Sequence, residues 1–581
     1  MLKGKVLISG VSIILVVGVV IGVVVVVKNN NGPAENPEVQ AHQKQVKTIC
    51  KDTEDPKLCY DTLNKVKPAN GTDPKAYIAA SVQSIAESVI KSVNMSDRLF
   101  VEHGKDDKKG LKMALEDCKD LMEFAMDSIE ASINMVQNNN IQAVHDQTPD
   151  FRNWLSAVIS YQESCMDGFE DGKDGEEKVK EQMHSESLDV MGRLTGIALD
   201  IVSDMTKILQ EFDLKLDLKP ASRRLLAEDI DDEGFPTWFS ATDRHLLAKG
   251  KGGKGGQGPK PNVVVAKDGT GQFKTIKEAI DSYPKDLKGR YIIYVKAGVY
   301  DEYILVPKKS ANILMYGDGP AKTIVTGRKC FRDGIKTMNT ATFANTAPGF
   351  IAKSMAFENT AGAEGHQAVA LRNQGDMSAF FDCAMHGYQD TLYVQTNRQF
   401  YRNCEISGTI DFIFGSSATL IQSSRIIVRK PGPDQFNTVT ADGTKQRNMA
   451  TGIVIQNCEI VPEQALFPVR FDFKSYLGRP WKDYARTVIM ESNIGDFLNP
   501  EGWTPWSGTI FLDTLYYAEY ANTGPGSNLS GRVKWKGYHP NIPRDEAARF
   551  TAGQFLRGGA SGRAEDWLDA SGIPYAVGFT K

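Results

Sequence analysis

A four-residue column recurs in the second half of the chain, and it constrains the fold more than any other feature. Asp382-Cys383-Ala384-Met385, Asn403-Cys404-Glu405-Ile406, Ser423-Ser424-Arg425-Ile426 and Asn457-Cys458-Glu459-Ile460 share a polar, small, variable, apolar order. Their second positions stand 21, 20 and 34 residues apart. Around them, from Pro261 onward, short Val/Ile/Phe-rich runs such as Asn262–Ala266, Tyr291–Val295 and Asn312–Tyr316 alternate with Gly, Asn and Asp turns. A period near 20 in β-rich sequence predicts a solenoid of parallel coils, each completed by its neighbours. A β-sandwich would also give short strands between turns, but would not require this column. The expected fold of residues 261–575 is therefore an all-β right-handed parallel β-helix, with the 34-residue step carrying a loop.

Residues 40–215 have a different period. Leu111, Leu115, Cys118, Met122, Ala125, Ile129, Ile133 and Val136 recur at steps of three and four, the stripe of an amphipathic helix. A second stripe runs through Leu155, Val158, Ile159, Gln162, Cys165 and Phe169, and a third covers about 186–210. An all-α four-helix bundle is expected, without a nucleophile–base pair or metal-ligand spacing. In an oxidising compartment the economical pairing is Cys50–Cys59 and Cys118–Cys165, although four cysteines allow three pairings. With 581 residues, two or more folded units are expected in any case.

Ahead of the bundle, Lys3 and Lys5 precede an uncharged stretch from Val6 to Val27. At ~1.5 Å per residue it matches the ~30 Å hydrocarbon core of a bilayer. Residues 1–30 thus predict a signal peptide or a signal anchor, and entry into the secretory pathway. The sequons at Asn70, Asn94 and Asn528 fit that route. Between the halves, residues 216–260 lose periodicity. They contain Arg223-Arg224-Leu225-Leu226, Arg244-His245-Leu246-Leu247 and a Gly/Lys-rich run ending at Lys260. Exposed basic sites in a flexible linker suit a processing protease. A net charge of −4 gives no reason to expect a nucleic-acid partner, and any membrane contact is expected only through the N-terminal segment.

The repeat also places chemistry. Asp390 and Asp411 are 21 residues apart, and Gln367 and Gln389 are 22 apart. Coils of that length stack these side chains on neighbouring turns, about 4.8 Å apart. Two stacked carboxylates resist ionising together, which separates an acid from a nucleophile or base. Arg479, in Tyr476-Leu477-Gly478-Arg479-Pro480-Trp481, is the candidate cation to grip Asp411 and hold it ionised. Taken singly, each residue could be a turn former or a surface group; their coincidence in register is what points to a site.

Several blocks resemble those of plant pectin methylesterases. They are Gly387-Tyr-Gln-Asp-Thr-Leu-Tyr393, Arg398-Gln-Phe-Tyr401, Gly408-Thr-Ile-Asp-Phe-Ile-Phe-Gly415 and Leu477-Gly-Arg-Pro-Trp481, with Ala297–Glu302 and Gln367–Leu371 beside them. The helical half resembles the pectin methylesterase inhibitor domain, including its four cysteines. The resemblance implies hydrolysis of methyl esters on cell-wall homogalacturonan by an aspartyl esterase that needs no metal or organic cofactor. Asp411 would attack the ester carbonyl, and Asp390 would protonate the methoxide and later activate water. Gln367 and Gln389 would donate to the oxyanion, and Arg479 would hold Asp411. Thr337 and Trp481 match substrate-contacting positions, Trp481 by stacking on a sugar. The bundle would occlude the cleft as an intramolecular inhibitor-like pro-domain, released by processing, on the way to the cell wall.

The same resemblance implies two disulfides in the catalytic half of many relatives. Here Cys383 and Cys458 match one partner of each, while Ala356 and Ser424 stand at the others, a pattern similar to that of pollen-expressed members. Cys383 and Cys404, on adjacent coils, lie within bridging range. Two rivals remain at this level: another pectin-active β-helix enzyme, such as a retaining glycosidase with carboxylates ~5 Å apart, and an inactive wall-binding or inhibitory protein. The paired glutamines suit an acyl oxyanion, no calcium-binding acidic cluster is evident, and none of the five site residues is missing.

Overall fold

The computed structural model describes residues 37–65, 74–103, 109–170, 175–212, 260–287, 289–558 and 564–581. The apolar segment 6–27, the sequon at Asn70 and the linker with Arg223, Arg224, Leu225 and Leu226 lie outside the described residues. No described helix is long and apolar enough to cross a membrane. Residues up to Gln45 form a unit of their own, and everything considered below lies in Val46–Lys581.

The helical half is built on Pro74–His103, Lys109–Asn138, Thr148–Asp167 and Asp189–Ser203. The anticipated stripes face inward: Leu111, Leu115, Met122, Ala125 and Ile129 of the second helix and Leu155, Val158 and Ile159 of the third are buried in one core. Cys118 pairs with Cys165 and staples these two helices, with Cα atoms 4.5 Å apart. Cys50 pairs with Cys59 across the short turn before Pro56–Leu63. Asn94 is exposed on the first helix, and Asn528 is exposed in a loop of the other half.

Among the described residues, the β half forms three sheets of eleven, eight and seven strands. Neighbouring strands pair in parallel throughout, for example Phe381↔Arg402, Arg402↔Gln422 and Gln422↔Gln456. The expected coil lengths thus appear as sheet register. The recurring column is a corner of the coil. Along the coils that carry the site, two residues separate a strand of the eleven-stranded sheet from the next strand of the eight-stranded sheet, as in Asp382-Cys383, Asn403-Cys404, Ser423-Ser424, Asn457-Cys458 and Glu491-Ser492, whereas an earlier corner, 317–322, is longer. The first of each pair takes a φ between 49° and 54°. That left-handed region costs most residues about 1–2 kcal/mol and, glycine aside, suits Asn and Asp best.

The second residue explains the preference for a small, weakly polar side chain. The Cys404 N–H donates to Ser424 Oγ, that of Ser424 to Cys458 Sγ, that of Cys458 to Ser492 Oγ, and that of Ser492 to Asn522 Oδ1. These links satisfy backbone donors that the corner removes from the sheets. Cys383, Cys404 and Cys458 are buried free thiols. Inside the coils, Phe343, Phe357, Phe380 and Tyr401 stack into the core, the last two with ring centroids 4.8 Å apart. The outer face of the eleven-stranded sheet is closed by the C-terminal segment, where Trp567, Leu568 and Tyr575 pack on Phe400, Leu420 and Val454.

Candidate active site

The seven-stranded sheet carries the site on its outward face. Strands Leu371–Asn373, Leu392–Val394, Ile413–Gly415, Asn437–Asp442 and Ser475–Gly478 lie side by side there. Tyr393 and Phe414, in register, stack with ring centroids 4.3 Å apart. Phe414 meets Trp481 edge-on at 6.0 Å, and Met338 and Trp506 pack on the same small cluster. The result is an aromatic floor of the kind that accepts a sugar face.

Asp390 and Asp411 stand at the corner leading into this sheet. Leu392 pairs with Ile413, so the two aspartates two residues upstream are in step on adjacent coils. Both hold positive φ, 63° and 50°, so each serves as a turn residue and a site residue together. Gln367 and Gln389 are one residue out of step, because the coil between their strands is set by Leu371↔Leu392. They still meet through the Ala368 N–H, which donates to the Gln389 carbonyl. Both are half-exposed, and neither side-chain amide is bonded among the described residues.

The two carboxylates have unequal surroundings. Arg479 donates to Asp411 through Nε, at 2.9 and 3.1 Å, and through Nη2, at 2.6 Å. Thr438 Oγ1 donates to Asp411 Oδ1 at 2.6 Å and accepts from the Asp411 N–H at 2.8 Å. The Arg479 guanidinium lies 4.3 Å above the Trp506 ring, fixed from its other side. Asp390 is 7 % exposed and its carboxyl accepts no hydrogen bond among the described residues. Burial, and then the charge of Asp411, push Asp390 well above its ordinary value of 3.8 against the weaker pull of Arg479. One aspartate is thus an anchored carboxylate and the other a buried acid.

The sign of that shift gives a prediction. Folded Asp390 keeps its proton over a pH range in which the unfolded chain has lost it, so stability falls as pH rises from 3.8 through the raised value. Asp390→Asn removes this slope, and its thermal midpoint should fall less than the parent's between about pH 4 and pH 8. An identical fall in both proteins would mean that Asp390 is not the buried acid described.

Thr337 begins a short 3-10 helix, Thr337–Thr340, beside Met338 of the aromatic floor. Other participants were not singled out in the sequence. Thr438 and Trp506 carry no repeat signal, although Thr438 sits on a strand whose register against Asp411 follows from coil length. The bundle lies along the same face: Ser164 Oγ meets Tyr393 OH at 3.1 Å, Asn339 donates to Asp117, and Ser160 donates to the Ser416 carbonyl. No group of His, Cys, Asp and Glu among the described residues could hold a metal ion.

Comparison with known proteins points to one family for each half. A family model described as Pectinesterase matches residues 262–559, and one described as Plant invertase/pectin methylesterase inhibitor matches residues 44–201. The chain is 44 % identical to "Probable pectinesterase/pectinesterase inhibitor 13" of Arabidopsis thaliana, across 92 % of this chain and 82 % of that one. It is 40 % identical to "Pectinesterase 4" of the same plant, across 99 % of this chain and all of that one. Among solved structures, the pectin methylesterase from carrot is 50 % identical with a TM-score of 0.54, covering 56 % of this chain and 99 % of its own.

Proposed function

The chain belongs to the pectinesterase family, carries an inhibitor-family domain ahead of its β-helix and hydrolyses the methyl esters of pectin, and on that premise we propose that Asp411 is its nucleophile and Asp390 its acid and base. The observation that carries this assignment is the asymmetry of the pair: a three-contact arginine grip on Asp411, and a buried, unbonded Asp390.

In the first half-reaction Asp411 attacks the ester carbonyl carbon and the carbonyl electrons move onto oxygen. The amides of Gln367 and Gln389 donate to that oxyanion, each worth ~3–4 kcal/mol when well aimed. Collapse expels methoxide, which takes the Asp390 proton and leaves as methanol, and an acyl anhydride joins substrate to Asp411. In the second, Asp390 removes a proton from water, the hydroxide opens the anhydride, and galacturonate leaves with Asp411 restored. Arg479 keeps the Asp411 oxygens aimed, and Trp481 and Thr337 border the sugar. The paired glutamine amides argue against a glycosidase, whose reaction develops no acyl oxyanion for them to hold.

The organisation we propose is a signal peptide or anchor in residues 1–30, an inhibitor-like pro-domain in 40–215, a processing linker in 216–260 and the catalytic domain in 261–575. The bundle silences the cleft by lying on its floor, and a protease cutting at Arg223-Arg224 or near His245 releases it into the cell wall. The test takes chain cut within 216–260, supplies highly methylated pectin, and follows methanol and polymer length together. Methanol without shortening is expected, with activity above that of uncut chain. Shortening without methanol would move the same carboxylates onto glycosidic bonds.

A further inference from the structure

Two lysines at the cleft are largely buried against the bundle, each between two of its carboxylates. Lys336 immediately precedes Thr337, is 6 % exposed at its side chain, and pairs with Glu170 at 2.9 Å and Glu176 at 2.7 Å. Lys482 immediately follows Trp481, lies 5.2 Å from its ring centroid, and pairs with Glu163 at 3.1 Å and Asp167 at 2.6 Å. All four carboxylates belong to the helical half. Among the described residues, no carboxylate of the β-helix lies within ion-pair distance of either lysine.

Lys308 also meets a single bundle carboxylate, Asp127, but from a side chain 38 % exposed, where water compensates its charge, and a further cross-half cation, Arg398, does not depend on the bundle. Arg398 also meets a bundle carboxylate, Asp150, but it keeps Asp376 of its own half in a two-point grip. Removing the bundle leaves Arg398 paired and leaves Lys336 and Lys482 as uncompensated cations beside substrate-facing residues. Each lysine faces two carboxylates, so the bundle presents a local excess of negative charge along the cleft.

We infer that Lys336 and Lys482 are subsites for free galacturonate carboxylates, and that the bundle's acidic residues occupy them in place of a de-esterified polymer. The inference rests on the pectin esterase reading above and extends it. The product of each turnover is a carboxylate, so a polymer already demethylated on either flank binds better than a fully methylated one. The lysines thereby set specificity through charge, because a methylated unit offers no anion for them to hold.

The test compares linker-cut chain with a Lys336→Ala, Lys482→Ala double variant and a Lys336→Arg, Lys482→Arg control. Substrates are nearly fully methylated pectin and half-methylated pectin of equal length. A bundle that still competes lowers kcat/KM on both substrates by one factor, so the ratio of the two reports only the substrate preference. That ratio should fall about tenfold in the alanine variant, mostly through KM on half-methylated pectin, and be retained in the arginine control. Fully de-esterified oligogalacturonate should likewise inhibit the alanine variant about tenfold more weakly. A thermal midpoint equal to the parent's confirms that the variant is folded. An unchanged ratio and an unchanged inhibition constant would overturn the assignment and leave the lysines as docking points for the bundle alone. Absence of methanol release from either pectin by unsubstituted chain would overturn the esterase reading, and this one with it.

Discussion

Asp411→Ala is expected to lower methanol release by about 10^4-fold or more, since no other group in the cleft can form the acyl intermediate. The position also carries a positive φ of 50°, which alanine accepts at a cost of about 1–2 kcal/mol. Asp411→Asn separates the two effects, because asparagine tolerates that backbone while lacking the nucleophile. Both variants should be inactive, and the asparagine one should be the more stable of the two, since it avoids the backbone cost although both lose the Arg479 pair. The check is methanol release per mole of protein shown to be folded by near-ultraviolet circular dichroism. A folded Asp411→Asn chain turning over at the parental rate would remove this residue from the mechanism.

Arg398→Met should have the largest effect on stability. The arginine side chain is 2 % exposed and joins Asp376, Asp150 and the Arg557 carbonyl. Methionine keeps much of the volume but strands two carboxylates in a nearly dry site. Breaking a buried pair from one side typically costs about 3–5 kcal/mol, more than the pair itself contributes. Adding Asp150→Asn and Asp376→Asn to the same chain should recover much of the loss, since the stranded charges are then gone. Denaturant midpoints of the single and triple variants decide it. A single variant that unfolds with the parent would show that water reaches the site and solvates the carboxylates.

Sequence disclosed what repeats. The corner pairs Asp382-Cys383, Asn403-Cys404 and Asn457-Cys458 were visible because a left-handed residue followed by a small buried one recurs on the successive coils from 382 to 492. The same regularity puts Asp390 and Asp411 in step on adjacent coils. The bundle stripes were visible because a helix buries one face at a fixed period. Arg479 was found through its neighbours in a distinctive block rather than through any period.

What does not repeat stayed hidden. Lys336 and Glu176 are 160 residues apart, and Lys482 and Asp167 are 315 apart. Pairing across such distances leaves no trace in one sequence, because a lysine in a loop reads as solvated wherever it stands. Thr438 and Trp506 were missed for a related reason: Thr438 acts through its two hydrogen bonds with Asp411 and Trp506 through its ring against Arg479, pairings far apart in sequence. The one-residue offset of Gln367 from Gln389 required the strand register itself.

The corner of constant length has a consequence for how this architecture diversifies. From 354–355 to 491–492, the turns that carry the site, it spans two residues each time, whereas the corners flanking the seven-stranded sheet are uneven, with 360–370, 387–391, 409–412, 429–436 and 463–474 on one side. A stack of coils needs only one seam that counts alike on every turn to stay aligned. With that seam fixed on the far side, the loops bordering the cleft can lengthen or shorten without shifting one coil against the next. Walls of different height can therefore be fitted around an unchanged pair of aspartates, and accommodating a new polymer pattern need not disturb the chemistry that cuts it.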